Sequence, residues 1–256
     1  MRIIYGINPV KEALRQNSAL EKILISASRQ DRNSQEITRL SASKNIPIEK
    51  RPDEELTRLA NTPGHQGFVA LLSGAFGYCG LDELLDAWKK TGENAFFLIL
   101  DSIQDPQNLG SLIRTAVCAG VHGIVIPKDR ACDVTPVVAK SSAGATEHVL
   151  IAKETNLTRV IERLKEENIW SIALEADAKE TIYGADLNRN TALVVGSEGK
   201  GIRRLVSHTC DMSLSIPLSE KLNSLNAAQA GAVAMFEVRR QRLLTPLNPP
   251  LIKGGG

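Results

Sequence analysis

The first of three segments with the potential for chemistry places polar side chains directly after a predicted β-strand. Residues 100–116 read LDSIQDPQNLGSLIRTA, in which Asp105 and Pro106 form a turn, Asn108 is placed to cap a helix and Arg114 follows one and a half turns later. Ligands of open α/β sheets bind at the carboxyl ends of the strands, so an amide and a guanidinium here could hold a substrate. A capped helix with a surface arginine is an equally good interpretation of this segment alone.

A glycine-rich turn follows a second predicted strand. Residues 192–206 read ALVVGSEGKGIRRLV, with Gly196, Gly199 and Gly201 around Glu198. Glycines let the backbone come close to a ligand, and the free amides of a helix start favour a negative group. The order of the glycines fits neither the Walker A loop nor the dinucleotide fingerprint, which argues against an ATPase or a dehydrogenase. A strained turn without a ligand is the simpler alternative.

The third segment joins a strand to a helix of small residues. Residues 214–237 read LSIPLSEKLNSLNAAQAGAVAMFE: a strand ends near Ile216, a polar loop leads to Ser224, and a helix follows. A glycine inside a helix costs about 1 kcal/mol relative to alanine, so Gly231 predicts that another element packs very closely there. A buried C-terminal helix explains the small residues but not the polar loop before it.

The elements that must position these segments are short aliphatic strands alternating with helices, which is typical of an α/β fold. We predict a small α/β unit over residues 1–72, a glycine-rich linker with one polar-faced helix over 73–92, a parallel-sheet domain over 93–244 and a disordered tail over 245–256. The tail contains three prolines and three glycines, which cannot continue a helix or a sheet.

Composition excludes several classes of protein. With 43% hydrophobic and 23% charged residues, the chain is neither disordered nor a disulfide scaffold. The longest apolar run, residues 95–100, is too short to span a membrane and no secretory signal is evident, so we expect a cytoplasmic protein. Four cysteines and four histidines lack metal-ligand spacing, which predicts free thiols and no metal site. Residues 1–75 carry 11 basic and 8 acidic residues, a weak sign of a polyanionic partner.

Taken together and in this order, the three segments resemble the motifs of the SpoU (TrmH-like) class of SPOUT RNA ribose 2'-O-methyltransferases. The motifs are D-P-x-N-x-G-x-x-x-R, V-G-S-E-G-x-G and I-P-L-x-x-x-x-x-S-L-N-x-x-x-A, and the resemblance covers residues 95–244. The opening YGINPVKEAL and the later HQGFVALL are similar to the L30e-like substrate-binding domain of some members. That subset includes enzymes that methylate a guanosine in the peptidyl-transferase P loop of 23S rRNA, which is therefore the implied activity.

The resemblance implies a fold that the pattern of elements alone argues against. Members of this class thread the C-terminal segment through a loop to form a trefoil knot, whereas this order of elements otherwise predicts an unknotted sheet because knots are rare. The resemblance also implies that S-adenosylmethionine is held by Gly196, Ile216 and Leu225, that two copies form a homodimer through the knot region, and that each active site draws on both subunits. The implied partner is RNA rather than DNA or a membrane.

The same resemblance implies roles for side chains around a ribose 2'-hydroxyl, namely Asn108, Arg114 and Glu198, with Asn226 supporting them. Neutralising a guanidinium near neutral pH costs about 8 kcal/mol, so we expect a protonated Arg114 that binds a phosphate or the developing alkoxide rather than a general base. Glu198 either accepts the hydroxyl proton or orders the glycine loop, and both alternatives stay open.

Three other functions are compatible with parts of the sequence. A tRNA ribose 2'-O-methyltransferase would carry the same motifs, and no base-reading residue can be identified that separates it from an rRNA enzyme. A non-catalytic RNA-binding paralogue is expected to have lost Asn108, Arg114 or Glu198, all of which are present. A small-molecule or protein methyltransferase would not need the N-terminal domain.

Overall fold

The computed structural model describes residues 1–219 and 224–244, and the first part of it is a small mixed sheet with helices. Its elements are β1 (Arg2–Tyr5), α1 (Ile7–Arg15), β2 (Leu20–Ser26), α2 (Arg32–Ala42), β3 (Ile48–Arg51), α3 (Asp53–Ala60), a 3₁₀ helix (Pro63–His65) and β4 (Phe68–Leu72). The strand order is β1-β4-β2-β3, with β4 antiparallel to both β1 and β2 and with β3 parallel to β2. Ile4, Leu14, Ile37 and Phe68 form part of a buried core between this sheet and its helices.

The remaining elements build a larger sheet of seven strands. They are α4 (Leu81–Lys89), β5 (Phe96–Asp101), α5 (Pro106–Ala119), β6 (Gly123–Pro127), α6 (Pro136–Ser141), a 3₁₀ helix (Ala145–Glu147), β7 (Leu150–Glu154), α7 (Leu157–Glu166), β8 (Trp170–Leu174), β9 (Glu180–Thr181), β10 (Thr191–Gly196), α8 (Arg204–Thr209), β11 (Met212–Ser215) and α9 (Ala227–Leu244). The order is β7-β6-β5-β10-β8-β11-β9, and all described strand pairs are parallel. The predicted α/β fold with a parallel sheet is confirmed.

The two strands that precede the first two motifs are neighbours at the centre of this sheet. Strands β5 and β10 are buried on both faces, which explains their continuous apolar sequences. Their parallel register pairs Gly196 with Asp101. The register therefore brings the loop before α5 and the glycine loop to the same edge of the sheet, where a parallel sheet binds its ligands.

Helix α5 begins one turn earlier than the sequence predicts, and a different residue caps it. The carboxylate of Asp105 accepts hydrogen bonds from the backbone N–H groups of Gln107 and Asn108, at 3.2 and 3.0 Å. Pro106 occupies the first helical position, where a backbone N–H would make no hydrogen bond within the helix. The prediction that Asn108 caps the helix is thus wrong. Its side chain is left free for other contacts.

Two glycines allow α5 to pack tightly between α6 and α9. A Cβ atom on Gly110 would lie 2.9 Å from the backbone nitrogen of Ser142, which directly follows α6. A Cβ atom on Gly231 would lie 2.5 Å from Cδ2 of Leu112. The close packing predicted from the glycine inside the C-terminal helix is therefore confirmed, and it fixes the position of α9 relative to the first motif.

Helix α4 lies within the segment predicted as a linker, yet it contributes to the core of the large sheet. Leu84, Leu85 and Trp88 are buried against the strands, while the opposite face of the helix is polar. Gly123 makes room for this helix, since a Cβ atom there would lie 2.5 Å from Cδ1 of Leu84. The polar face that is visible in the sequence is only the outer half of an amphipathic helix.

The two sheets are joined through the segment that contains α6 and the following 3₁₀ helix. Arg2 of β1 forms an ion pair with Glu147, whose other carboxylate oxygen accepts a hydrogen bond from Oγ of Ser18 at 2.6 Å. Gly144 lets the backbones approach, because a Cβ atom there would lie 2.9 Å from Cβ of Glu12. The small sheet is thus docked on the helix that supports α5.

Some predictions concern residues that the structure does not describe. The predicted trefoil knot depends on the path of the chain through residues 220–223, and the predicted disordered tail covers 245–256; both lie outside the described residues and stay predictions. Within 1–219 and 224–244, no helix is long and apolar enough to cross a membrane, and no group of three or more His, Cys, Asp or Glu residues is arranged to hold a metal ion. Cys79, Cys118, Cys132 and Cys210 are free thiols.

Candidate active site

The glycine loop after β10 is a tight hairpin that closes on itself. The backbone N–H of Ser197 donates to the carbonyl of Gly201 at 3.1 Å, and the N–H of Gly201 donates back to Ser197 at 2.8 Å. A Cβ atom on Gly196 would lie 2.1 Å from the carbonyl carbon of Gly201, so the closed hairpin requires glycine at position 196. Gly199 has a φ of +78°, a conformation that glycine adopts without strain. The hairpin carries Glu198 near its tip.

A cavity of about 470 Å³ opens beside this hairpin. The loop after β8, the glycine hairpin, the end of β11 and the start of α9 form its walls. Gly196, Ile216 and Leu225, the three residues predicted to hold the cofactor, all line it. The walls are mainly apolar side chains and backbone, and in the described part of the lining the charged side chains are Glu175 and Glu198.

Three of the four predicted catalytic side chains form one hydrogen-bonded cluster beside this cavity. Nδ2 of Asn226 donates to Oδ1 of Asn108 at 3.0 Å and to Oε2 of Glu198 at 3.3 Å. Oδ1 of Asn226 accepts from the backbone N–H of Ala228 at 2.8 Å. Each of the three sequence segments supplies one member, although the residues are far apart along the chain. The structure thus brings Asn108, Glu198 and Asn226 together.

The chemistry of the carboxylate determines how the two amides are oriented. An ionised carboxylate only accepts hydrogen bonds, so Asn226 must turn its NH₂ group toward Glu198. The second proton of that NH₂ group then points to Asn108, which must present its carbonyl oxygen. The NH₂ group of Asn108 therefore faces away from Asn226, and it has no hydrogen-bond partner among the described residues. It is a free pair of donors next to a carboxylate.

Arg114 does not join this cluster within one chain. It lies on α5 six residues after Asn108, which places it about 120° around the helix and about 9 Å along its axis. Its side chain is exposed and makes no hydrogen bond or ion pair with any residue of 1–219 or 224–244. The helical phase thus places Arg114 outside the cluster of its own chain, and its predicted place around the hydroxyl, in a site that draws on both subunits, stays a prediction.

Comparison with known proteins assigns the family. A family model described as the SpoU rRNA Methylase family matches residues 95–236. The chain belongs to this SpoU family of RNA methyltransferases. A second family model, described as RNA 2'-O ribose methyltransferase substrate binding, matches residues 3–75. The resemblance stated from the three motifs is thereby confirmed, and so is the presence of an N-terminal substrate-binding domain.

Relatives match the SpoU protein over nearly its whole length. A TrmH family tRNA/rRNA methyltransferase, YacO of Bacillus subtilis (strain 168), is 42% identical over 93% of this chain and 95% of its own. A TrmH family tRNA/rRNA methyltransferase of Staphylococcus aureus (strain MRSA252) is 38% identical over 94% of this chain and 96% of its own.

Solved structures share the fold at lower sequence identity. The SpoU methyltransferase AviRb from Streptomyces viridochromogenes, solved in complex with AdoMet, has a TM-score of 0.79 at 21% identity and covers 95% of this chain and 91% of its own. A TrmH family protein from Porphyromonas gingivalis has a TM-score of 0.72 at 24% identity and covers 94% and 90%.

An ion pair between the buried Asp101 and the exposed Arg203 holds the glycine hairpin of this SpoU protein, and it was not predicted from the sequence. Oδ2 of Asp101 accepts from the backbone N–H of Arg203 at 2.8 Å, and Oδ1 accepts from Nε of Arg203 at 2.7 Å. Asp101 is 0% exposed. An acidic residue at the end of the apolar run AFFLILD is the signal that could have identified it, because a buried carboxylate needs a partner.

Glu175 is a second residue that the sequence analysis missed. It directly follows β8 and lines the cavity, and its carboxylate makes no hydrogen bond or ion pair with any described residue. The sequence signal is a polar residue at the carboxyl end of a predicted strand, the same signal that singled out the three motifs.

Proposed function

We propose that this protein transfers the methyl group of S-adenosylmethionine to the ribose 2'-hydroxyl of a nucleotide in RNA. The observation that carries this proposal is the pair of hydrogen bonds that Asn226 donates to Asn108 and Glu198 beside the cavity. This arrangement provides a donor and an acceptor within reach of one hydroxyl group. Membership of the SpoU family supports the same reaction.

The cavity fits S-adenosylmethionine better than it fits a phosphorylated cofactor. Its described lining contains two carboxylates and no lysine or arginine, which suits a ligand with a sulfonium and an ammonium group. Its volume, about 470 Å³, is in the range of small-molecule sites. Gly196, Ile216 and Leu225 would hold the cofactor, which is the role that the resemblance to the family implies for them. The related structure of AviRb was solved in complex with AdoMet. When bound, this cofactor supplies an electrophilic methyl group.

Each side chain of the cluster has a different role at the 2'-hydroxyl group. The free NH₂ group of Asn108 donates to the 2'-oxygen and stabilises the negative charge that develops there. The carboxylate of Glu198 accepts the hydroxyl proton directly or through a water molecule, or alternatively it orders the hairpin. Asn226 holds Asn108 and Glu198 at a set distance from each other.

Arg114 enters the site from a second copy of the chain in this proposal. The resemblance implies a homodimer whose active sites draw on both subunits, and the position of Arg114 outside its own cluster agrees with that. As a cation it binds the adjacent phosphate or the alkoxide, which is cheaper than acting as a base.

The substrate proposed is a guanosine in the peptidyl-transferase P loop of 23S rRNA, with a tRNA nucleotide as the alternative. Residues 1–72 would bind the RNA and 93–244 would carry out the chemistry, in a cytoplasmic enzyme. The match of residues 3–75 to a substrate-binding family model supports this division. The segment 73–92 includes α4, and one face of this helix is buried in the core of the large sheet. A separately expressed catalytic part must therefore begin before Leu81.

The test is to compare the 2'-O-methylated positions in total RNA from cells with and without the gene. The proposal expects one ribose methylation to disappear and to return when purified protein and S-adenosylmethionine are added to the RNA. A map that is unchanged in all rRNA and tRNA, together with no transfer of labelled methyl groups in vitro, would contradict it. Loss at a tRNA position would favour the alternative substrate.

A further inference from the structure

Arg203 is held in place by one part of its structure and leaves the rest of its side chain unpaired. Its backbone N–H and its Nε donate to the two carboxylate oxygens of Asp101, at 2.8 and 2.7 Å. Asp101 is fully buried, whereas 42% of the Arg203 side chain is exposed. The Nη groups of Arg203 donate no hydrogen bond to any residue of 1–219 or 224–244. They form a fork of N–H donors that is fixed at its base and unpaired at its tip.

This fork lies on the face of the large sheet that is opposite to α5 and α9. Side chains alternate between the two faces of a strand, so Asp101 points to the same side as Phe97 and Ile99. Those two residues belong to the core that also contains side chains of α4, α7 and α8, whereas the alternate residues of β5 pack with α5 and α9. A contact between two copies of the chain through α5 and α9 would therefore leave Arg203 exposed.

The surroundings of the fork are positively charged. Lys200 on the hairpin and Arg204 at the start of α8 are exposed, and neither makes an ion pair with a described residue. Glu198 is the acidic residue of the hairpin itself, and the charge of Asp101 is already compensated by Arg203. The planar donors of a guanidinium match two oxygens of a phosphate. The fork and its neighbours therefore suit a phosphate group.

The position of the fork relates it to the site of methyl transfer. Arg203 follows Gly201 by two residues, and Gly201 is hydrogen-bonded to Ser197 across the hairpin. Two residues of chain span at most about 7 Å, so the backbone of Arg203 lies that close to the hairpin that carries Glu198. In RNA the ribose 2'-hydroxyl is next to the 3'-oxygen, which carries a backbone phosphate. An RNA strand whose 2'-hydroxyl reaches Glu198 therefore has its phosphates in the neighbourhood of Arg203.

We propose that Arg203 binds a phosphate of the RNA backbone next to the methylated nucleotide through its Nη groups. This inference rests on the proposed function, because it assumes that the target ribose lies at the hairpin. The contact is distinct from that of Arg114, which enters the site from a second copy of the chain. Because Asp101 already holds the side chain of Arg203, little conformational entropy is lost when the phosphate binds. The ion pair thus prepares a contact with the substrate as well as anchoring the hairpin.

Arg203→Lys tests the contact while it keeps the anchor. The lysine ammonium retains a positive charge for Asp101, but once paired with that carboxylate it offers no fork to a phosphate. The full-length protein is titrated with an unmodified transcript of the RNA segment that contains the mapped methylation site. We expect the affinity for this transcript to fall about tenfold, as for the loss of a charge-assisted hydrogen bond. The affinity for S-adenosylmethionine should stay within threefold of the wild type.

Arg189→Gln is the matched control for the loss of an ion-paired arginine. Arg189 is paired with Asp186 and its side chain is 37% exposed, but it precedes β10 and so lies at the opposite edge of the sheet. The affinity of this variant for the transcript should stay within twofold of the wild type.

A double variant, Asp101→Asn with Arg203→Gln, separates substrate binding from support of the hairpin. It removes both charges of the pair and puts two amides in their place, so we expect its stability to be closer to the wild type than that of Asp101→Asn alone. Its affinity for the transcript should nevertheless stay low. The slope of log affinity against log salt concentration should be shallower by about 0.7, the value for one lost phosphate contact on a single strand.

The possible outcomes separate this inference from the proposed function. Wild-type affinity for the transcript in Arg203→Lys, or recovery of that affinity in the double variant, would show that Arg203 acts only through Asp101 and would overturn the inference. An unchanged salt slope in the double variant would also overturn it. In each of these cases the wild type still methylates RNA, and the proposed function stands. If the wild type methylates no RNA, both proposals fall.

Discussion

Asp101 at the end of β5 accepts two hydrogen bonds from Arg203, one from its backbone N–H at 2.8 Å and one from its Nε at 2.7 Å. The pair fixes both ends of the glycine hairpin, since Arg203 lies two residues after Gly201 and Asp101 lies opposite Gly196 in the sheet. Ser102 adds a third hydrogen bond to the same carboxylate at 3.0 Å. The hairpin that carries Glu198 is therefore anchored to the strand that leads to Asn108.

Replacing Asp101 with asparagine tests this anchor. The variant removes the buried charge that Arg203 faces, so we expect the free energy of unfolding to fall by about 2 to 3 kcal/mol and the cofactor affinity to fall with it. Chemical denaturation and calorimetric titration measure the two effects. Asp129→Asn is the control, because Asp129 is exposed and should change stability by no more than about 0.5 kcal/mol. Equal stability of the two variants would contradict the anchor.

Gly196→Ala tests the requirement for glycine in the hairpin. The added methyl group would lie 2.1 Å from the carbonyl carbon of Gly201, so the hairpin must open. We expect a loss of about 1 to 3 kcal/mol in stability and at least a tenfold weaker binding of S-adenosylmethionine. At Gly77 a Cβ atom meets nothing within 4 Å, which makes Gly77→Ala the matched control. Wild-type cofactor binding by Gly196→Ala would show that the hairpin does not form the cofactor site.

Asn226→Asp tests the orientation of the catalytic amides. The substitution replaces an NH₂ group that donates to Asn108 and Glu198 with an oxygen that cannot donate to either. The NH₂ group of Asn108 is then drawn away from the substrate, and we expect a rate lower by about a hundredfold to a thousandfold, as for the loss of one catalytic donor. Single-turnover methylation gives the rate, and a titration should find cofactor affinity within a few-fold of the wild type. A rate within threefold of the wild type would rule out the proposed role of Asn226.

Mixing two inactive variants tests whether Arg114 acts across a dimer. Arg114→Ala and Glu198→Ala should each be inactive alone. If each site takes Glu198 from one subunit and Arg114 from the other, a mixture exchanged to equilibrium should recover about a quarter of the wild-type rate, because half of the dimers are mixed and each mixed dimer holds one intact site. No recovery, with subunit exchange shown by mass spectrometry, would place both residues in the same subunit's site.

Arg114→Lys separates the two possible roles of the arginine. Lysine keeps a positive charge but lacks the planar fork of donors, so we expect part of the RNA affinity to remain and much of the rate to be lost. If the arginine is a cation, the acidic limb of the single-turnover pH profile should stay in place, since another group sets it. A limb displaced by about one pH unit or more, with chemistry rate-limiting, would favour the base role instead.

Thiol labelling tests the burial of the helices that surround the sheet. Burial raises the pKa of the Cys210 thiol to about 12, and its Sγ donates to the carbonyl of Val206 at 3.3 Å. Burial also raises the pKa of Cys79 and Cys132, whereas Cys118 is exposed on α5. At pH 8 iodoacetamide should modify Cys118 first and Cys210 last, because only the thiolate reacts. Mass spectrometry of the peptides gives the order, and early modification of Cys210 would contradict the packing of α8.

The local pattern of the chain was enough to predict where a ligand site would lie. Polar residues and glycines after aliphatic strands pointed to the carboxyl edge of a parallel sheet, and the structure has the cavity at that edge. Gly231 predicted close packing, which the contact with Leu112 confirms. The grouping of Asn108, Glu198 and Asn226 came from resemblance rather than from spacing, because no local rule relates three segments that lie far apart.

The sequence by itself determined the order of strands and helices, the α/β class and the kinds of side chain available for chemistry, because hydrophobic periodicity and the backbone demands of glycine and proline act over a few residues. The cap of α5 by Asp105 is a local outcome, since an aspartate followed by proline already indicates a helix start. Only the tertiary structure decided that Asn108, Glu198 and Asn226 meet in one cluster and that Asp101 binds a residue 102 positions away. Those outcomes depend on the register of β5 with β10 and on the rotation of each helix against its neighbours. Both are set by the packing of the whole domain, and a local pattern holds no information about them.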